Sequence, residues 1–247
     1  MATGCKKPKG MEPERIILSR VMTPNGELQL QQWVDINGNN QAAYEIIFNG
    51  VFLMASYNEL SEKELANLTI ELLGSERQDL RVLLGGLGIG YTLQALLACE
   101  RIQAVDVVEI EDHIIRWAKS YFSELNRHAC SDPRVRLINM DIWDYILTTR
   151  KPYDAVILDV DNGPTWLALE RNQRLYEEPG LVKVKALLGN GGVFIVWAAQ
   201  KCTVFQKKLE EVFGGTELIT VKDTDRNGRS TDYFIYRTRS FEDSLNS

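Results

Sequence analysis

Cysteine and histidine are scarce in this sequence, with four Cys and two His among 247 residues. Cys5, Cys99, Cys130 and Cys202 are widely scattered, without a Cys-x-x-Cys pair or a His at ligand spacing. That excludes a disulfide framework or clustered zinc site and predicts a reduced, metal-free protein. Long apolar runs are missing too: no stretch approaches the roughly 18 apolar residues that span a bilayer. The N-terminal MATGCKKPKGMEPER is basic but has no apolar export segment, so the expectation is a cytoplasmic protein without a membrane partner. A surplus of positive charge is also absent, since the formal net charge is −6. Nucleic acid is therefore not an expected partner.

What is present, 45% hydrophobic and 25% charged residues, suffices for one substantial core with a small appendage. Residues 1–14, rich in Lys, Pro and Gly, read as a mobile tail. LQLQQWVDI and YEIIFNGVFLM are β-rich, and Asn49-Gly50 suits a tight turn because both residues tolerate positive φ. Together they predict an antiparallel β unit over 15–58. Ser61-Glu62-Lys63-Glu64 has the spacing of a capping box and predicts a helix from there to about Leu73.

From residue 80 the pattern alternates strand, glycine turn, helix and strand: RVLLGG, YTLQALLAC, AVDVVEI, HIIRWAKSYF. VRLIN, YDAVILD and GGVFIVW follow as strands apolar on both faces, and FQKKLEEVF as an amphipathic helix. ELITVK and DYFIYRT, separated by a short polar stretch, fit a hairpin. The fold class is α/β: a Rossmann-like, doubly wound, mostly parallel sheet over 59–247, ending in an antiparallel hairpin.

Gly85, Gly86, Gly88 and Gly90 lie between a predicted strand and helix, where missing Cβ atoms let a ligand approach the backbone. Glu109, nineteen residues after Gly90 at the end of the next strand, is placed to accept hydrogen bonds from ribose hydroxyls. The competing reading is tight strand–helix packing with a strand-end charge. Dinucleotides and sulfonium adenosines both use such a segment, so later strands must decide. Asp141 follows VRLIN and Asp159 follows YDAVILD, which brings both to the sheet's carboxyl edge. Asp141 reads either as an acceptor for an adenine amino group, with Ile142 and Trp143 covering the ring, or as a turn residue. Asn162-Gly163-Pro164-Thr165-Trp166 reads as the start of a closing loop with Trp166 as its lid, or as a surface turn with a core Trp.

VLLGGLGIG, VDVVEIED, DPRVRLINMD and YDAVILD resemble the core of the spermidine synthase family, within the class I methyltransferase-like superfamily. The resemblance covers about residues 80–200 and extends more weakly over nearly the whole chain. It implies that the glycine loop, Glu109 and Ile110 hold the sugar side of the cofactor and Asp141 and Ile142 the adenine. It implies that Asp159 faces the transferred group and an acceptor amine, with Asp161 sharing this work or binding the substrate's cationic end. S-adenosylmethionine or its decarboxylated form is the implied co-substrate, a small-molecule amine the acceptor, and a homodimer the implied assembly. The implied reaction is aminopropyl transfer, with methylation of a small molecule as the alternative.

The chain departs from the family on the acceptor side. It has Asp159-Val160-Asp161-Asn162 where the family has an Asp-Ser-Ser-Asp-type stretch, Tyr44-Glu45 for Tyr-Gln, and Phe48-Asn49-Gly50 for Leu-Asp-Gly. No Tyr-His-Glu occurs around Glu64 to Leu68. A non-catalytic nucleotide-binding protein is a further reading. An NAD-dependent dehydrogenase fits less well, because no proton-relay His or Tyr-Lys constellation is visible and His113 and His128 read as surface residues.

Overall fold

In the computed structural model of the chain, residues 14–34, 42–160, 162–224 and 230–240 are described. The chain divides into two compact units between Tyr57 and Asn58.

In the first unit, β1 (Glu14–Thr23), β2 (Gly26–Val34), β3 (Ala43–Phe48) and β4 (Val51–Ala55) form one antiparallel sheet in sequence order. Glu14, placed in the tail by the sequence, already belongs to β1; the rest of that tail lies outside the described residues. The Asn49-Gly50 turn forms as expected, with φ of 50° and 76°, the twist that matches a two-residue hairpin. Leu28, Leu30 and Ile46 are fully buried. Glu45 is buried with them and accepts from Gln31 Nε2 and Tyr57 Oη, each at 2.5 Å.

The second unit opens with α1 (Leu60–Leu73) and continues with β5 (Leu80–Gly85), α2 (Tyr91–Leu97), β6 (Ile102–Glu109), α3 (Asp112–Lys119) and β7 (Val135–Asn139). Next come α4 (Ile142–Thr148), β8 (Tyr153–Leu158), α5 (Glu178–Leu187), β9 (Leu188–Ala198), α6 (Thr203–Phe213), β10 (Glu217–Thr224) and β11 (Ser230–Arg239). The strand order is β10-β11-β9-β8-β5-β6-β7. β5 to β9 are parallel, whereas β11 runs antiparallel to β9 and β10. The expected fold class is therefore observed, terminal hairpin included.

Two sequence readings are corrected. The capping box does not form: α1 starts at Leu60, Glu59 is its N-cap without a side-chain bond, and the Ser61 hydroxyl donates to Glu62 Oε2 at 2.8 Å. Once the helix begins ahead of Ser61, that side chain lies inside the first turn, past the cap position. β7 is also not buried on both faces, because it is an edge strand with no helix-covered neighbour beyond it.

One sheet face packs Leu83, Val156, Phe194, Val196 and Tyr236 against α4, α5 and α6. α1 lies across β8 to β11 on its other side and is fastened by Arg237, which pairs with Glu71 at 3.1 Å and Glu217 at 2.6 Å. From β5 the chain winds outward to β6 and β7, then returns to lay β8 on β5's other side. That reversal opens a crevice at the carboxyl ends of β5 and β8, the position where sheets of this type bind ligands.

Candidate active site

Gly86, just beyond β5, has φ of +91°, and a Cβ there would sit 2.1 Å from the Asp159 carbonyl oxygen. The Asp159 amide in turn donates to Gly85 O at 2.9 Å. Glycine at 86 is thus what lets the loop after β5 lie directly on the end of β8. Gly85 lies against Ile142, and Gly90 is the N-cap of α2. Asn126, fully buried, donates to Ile89 O and Ala118 O, each at 2.9 Å, and so ties the loop down from behind.

Glu109 ends β6 and is buried. Its Oε2 accepts from the Leu87 amide at 3.0 Å and its Oε1 from the Glu111 amide at 2.9 Å. Burial pushes its carboxyl above the usual range, and the two amides pull it back. A carboxylate has about four acceptor directions in all, so Glu109 keeps acceptor capacity for a ligand hydroxyl beside these amides. Ile110 is half-buried beside it, and its carbonyl accepts from Asn139 Nδ2 at 2.9 Å.

Asp141 caps α4, with Oδ1 accepting from the Trp143 amide at 2.8 Å. Its Oδ2 pairs with Arg174 at 2.9 Å and Arg171 at 3.0 Å. Ile142 is buried in the core under α4, and the Arg174 guanidinium stacks 5.2 Å from the Trp143 ring centroid. Asp141, read from the sequence as either an adenine acceptor or a turn residue, is thus the N-cap of α4 and the partner of two arginines.

Asp159, partly buried at the end of β8, accepts from Thr92 Oγ1 at 3.1 Å. Burial pushes its carboxyl up to about 6, against the lowering effect of the Thr92 hydroxyl. Thr92 Oγ1 also lies 3.3 Å from the Glu62 carbonyl oxygen, in the first turn of α1. Burial, then the charge of Asp159, raise the Glu62 carboxyl to about 8, and Asp223 adds to the effect. Because β11 runs antiparallel to β9, the end of β10 and the start of β11 also reach this edge. They bring Asp223 and Tyr233, the latter with its ring tilted against Trp197 at 5.2 Å between centroids. Among the described residues, neither Asp159 nor Glu62 is ion-paired.

The site thus assembles residues the sequence reading did not connect. Glu62 was read as part of a cap, and Thr92, Asp223 and Tyr233 received no role. Their segments are distant in sequence, and only the return of the terminal hairpin brings the last two to the crevice. Asp161 lies outside the described residues. Gly163 packs on Ala198, and Trp166 is 49% exposed rather than in the core. His128 is exposed beside Glu124. Among the described residues no group of three or more His, Cys, Asp or Glu is arranged to hold a metal, and no helix is long and apolar enough to cross a membrane.

Comparison with known proteins agrees with this fold. The spermine/spermidine synthase domain matches residues 64–214, more than half of the chain. The polyamine aminopropyltransferase 1 of Hyperthermus butylicus is 28% identical over 142 residues, 56% of this chain and 47% of that protein. The chain spans about half the length of the curated relatives it matches. A spermidine synthase solved with the transition state analogue AdoDATO superimposes with a TM-score of 0.74 at 16% identity, covering 93% of this chain and 75% of that one. The spermidine synthase of Thermotoga maritima gives 0.73 at 14% identity, with 93% and 74% covered. At such identities the structural likeness speaks for the fold.

Proposed function

The chain belongs to the spermine/spermidine synthase family, and from that premise we propose that it transfers an aminopropyl group from decarboxylated S-adenosylmethionine to an amine acceptor. The observation that carries this reading is the acidic end of the crevice: Asp159 and Glu62 lie there without an ion-pair partner among the described residues, and Asp223 is near enough to act on Glu62. A carboxylate-bearing sulfonium would require a cationic or backbone donor for its tail, whereas the decarboxylated form presents an ammonium that these acids attract.

The residues fit such a co-substrate. Glu109 has acceptor directions left for ribose hydroxyls, and the glycine loop exposes backbone beside it. Asp141 holds its arginines and the start of α4 in place near the adenine end assigned by family likeness. When bound, the sulfonium supplies an activated carbon: the amine lone pair forms the new C–N bond while the C–S bond breaks and its electron pair passes to sulfur. The chain's task is then to align the amine and to accept the proton it must lose. Asp159, with its carboxyl near 6, is basic enough to draw that proton and still largely ionised at neutral pH.

Side-by-side calorimetric titration with decarboxylated S-adenosylmethionine, S-adenosylmethionine and methylthioadenosine tests this. We expect preference for the decarboxylated form, with methylthioadenosine and an aminopropylated amine appearing on incubation with a diamine. Preference for S-adenosylmethionine, with methylated product, would make the chain a methyltransferase; binding of none of the three would overturn the enzyme reading.

A further inference from the structure

Glu62 stands out among groups that family likeness does not explain. It sits in the first turn of α1, whose backbone is linked to Asp159 through Thr92: the Thr92 hydroxyl lies 3.1 Å from Asp159 Oδ2 and 3.3 Å from the Glu62 main-chain carbonyl. Its own carboxyl is held by the Ser61 hydroxyl at 2.8 Å. The groups that face it come from every neighbouring element: Asp159 at the end of β8, Tyr91 in α2, Asp223 in β10 and Tyr233 in β11. The nearest cation in its own helix, Lys63, is engaged by Glu59 at 2.8 Å and lies over the Tyr91 ring.

Two partly buried carboxyls that bear on each other electrostatically and share the contacts of one threonine hydroxyl, with no cation paired to either among the described residues, do not both ionise fully at neutral pH. Burial and Asp159 raise Glu62 to about 8, while Asp159 stands near 6, so the neutral proton belongs chiefly to Glu62. An ammonium entering between them reverses the balance, because a positive charge favours the ionised form of each.

Resting on the function proposed above, we propose that Glu62 is an acceptor-recognition residue of this chain, and that the Glu62–Asp159 pair gives up a proton when a cationic amine enters. The exchange leaves an anionic pair around the ammonium and returns the free site to one negative charge. A neutral molecule of the same shape cannot drive it, so the exchange selects for charge. It also makes acceptor binding weaken as pH falls below about 8, by up to about tenfold per pH unit, because the amine then has to displace a bound proton.

The test is calorimetry of putrescine binding to protein saturated with methylthioadenosine, run at pH 7 in phosphate and in Tris. The difference in heat between the buffers counts protons. We expect about one proton released by the native protein, and a small fraction of that in Glu62→Gln. The variant should also show a KM for the diamine raised about tenfold and nearly independent of pH from 6.5 to 7.5, with methylthioadenosine affinity unchanged. Glu62→Asp, which keeps the charge, should restore most of the proton release. Equal release in native protein and Glu62→Gln would assign the proton to the amine or to Asp159 and overturn the inference. Failure of the functional reading looks different: proton release that depends on Glu62 but no aminopropylated product would leave the amine site standing and remove the reaction. No putrescine binding to either protein would overturn both.

Discussion

The Leu87 amide donates to Glu109 Oε2 at 3.0 Å, so the residue proposed to hold ribose also holds the glycine loop in shape. The Glu111 amide on Oε1 makes the same carboxylate a brace for the start of α3. Glu109→Ala therefore removes two buried acceptors together. Each orphaned amide costs about 1–3 kcal/mol unless water replaces the carboxylate. The expected outcome is a lower thermal midpoint together with methylthioadenosine affinity reduced by a similar amount, read by calorimetry. A lowered midpoint with unchanged affinity would confine Glu109 to bracing.

Thr92→Val isolates the hydroxyl that bonds Asp159, since valine keeps the shape of a side chain that is 4% exposed. The hydroxyl lowers the Asp159 carboxyl against a burial effect that raises it. Its loss should move Asp159 upward from about 6, shifting the acidic limb of the kcat/KM profile to higher pH. Nucleotide affinity should stay as it was. An unmoved limb would mean that Asp159 does not titrate in the rate-limiting step.

Gly86 and Gly214 have similar backbones, with φ of +91° and +86°, and separate two costs of replacing glycine. At Gly214, the C-cap of α6, a Cβ would meet nothing within 4 Å, so alanine should lose only the left-handed penalty of about 1–2 kcal/mol. At Gly86 the added carbon would overlap the Asp159 carbonyl, forcing β5 and β8 apart. Gly86→Ala should thus lower the thermal midpoint well beyond Gly214→Ala and abolish methylthioadenosine binding, whereas Gly214→Ala binds normally. Comparable midpoints would show that the crevice tolerates widening.

The sheet was legible because its strands carry a local signal: short apolar runs ending in Gly85, Glu109 or Asp159, with a helix pattern after the first two. The Asn49-Gly50 turn was legible for the same reason, since turn chemistry is written in adjacent residues. The proposed acceptor side was not, because its members owe their proximity to topology. Glu62 precedes the parallel sheet, and Asp223 and Tyr233 follow it. Asp141 shows a related limit: its position after a strand signalled an edge acid, but its partners Arg171 and Arg174 come from a later turn with no recognisable spacing. Asp106 did leave a trace, an acid in the middle of AVDVVEI, three residues before Glu109. It is buried and bonded to Arg136, Tyr145 and Tyr153, and a charge in a buried strand implies such partners.

Stability gives a view of Glu62 that does not depend on any substrate. Its folded carboxyl is raised from 4.5 to about 8, so between those values the folded chain binds more protons at this site than the unfolded chain. Stability contributed here is present below pH 4.5 and falls as pH rises toward 8, because ν_U − ν_N is negative over that window. Gln carries the shape of the protonated acid but cannot ionise, so Glu62→Gln should match the native thermal midpoint at pH 4.5, exceed it increasingly up to about pH 8, and hold a constant advantage above that. Bound putrescine should shrink that advantage, since an ammonium compensates the ionised Glu62. Native and variant midpoints that run parallel across this range would show that Glu62 titrates as an ordinary surface acid, and would take the proton exchange away with it.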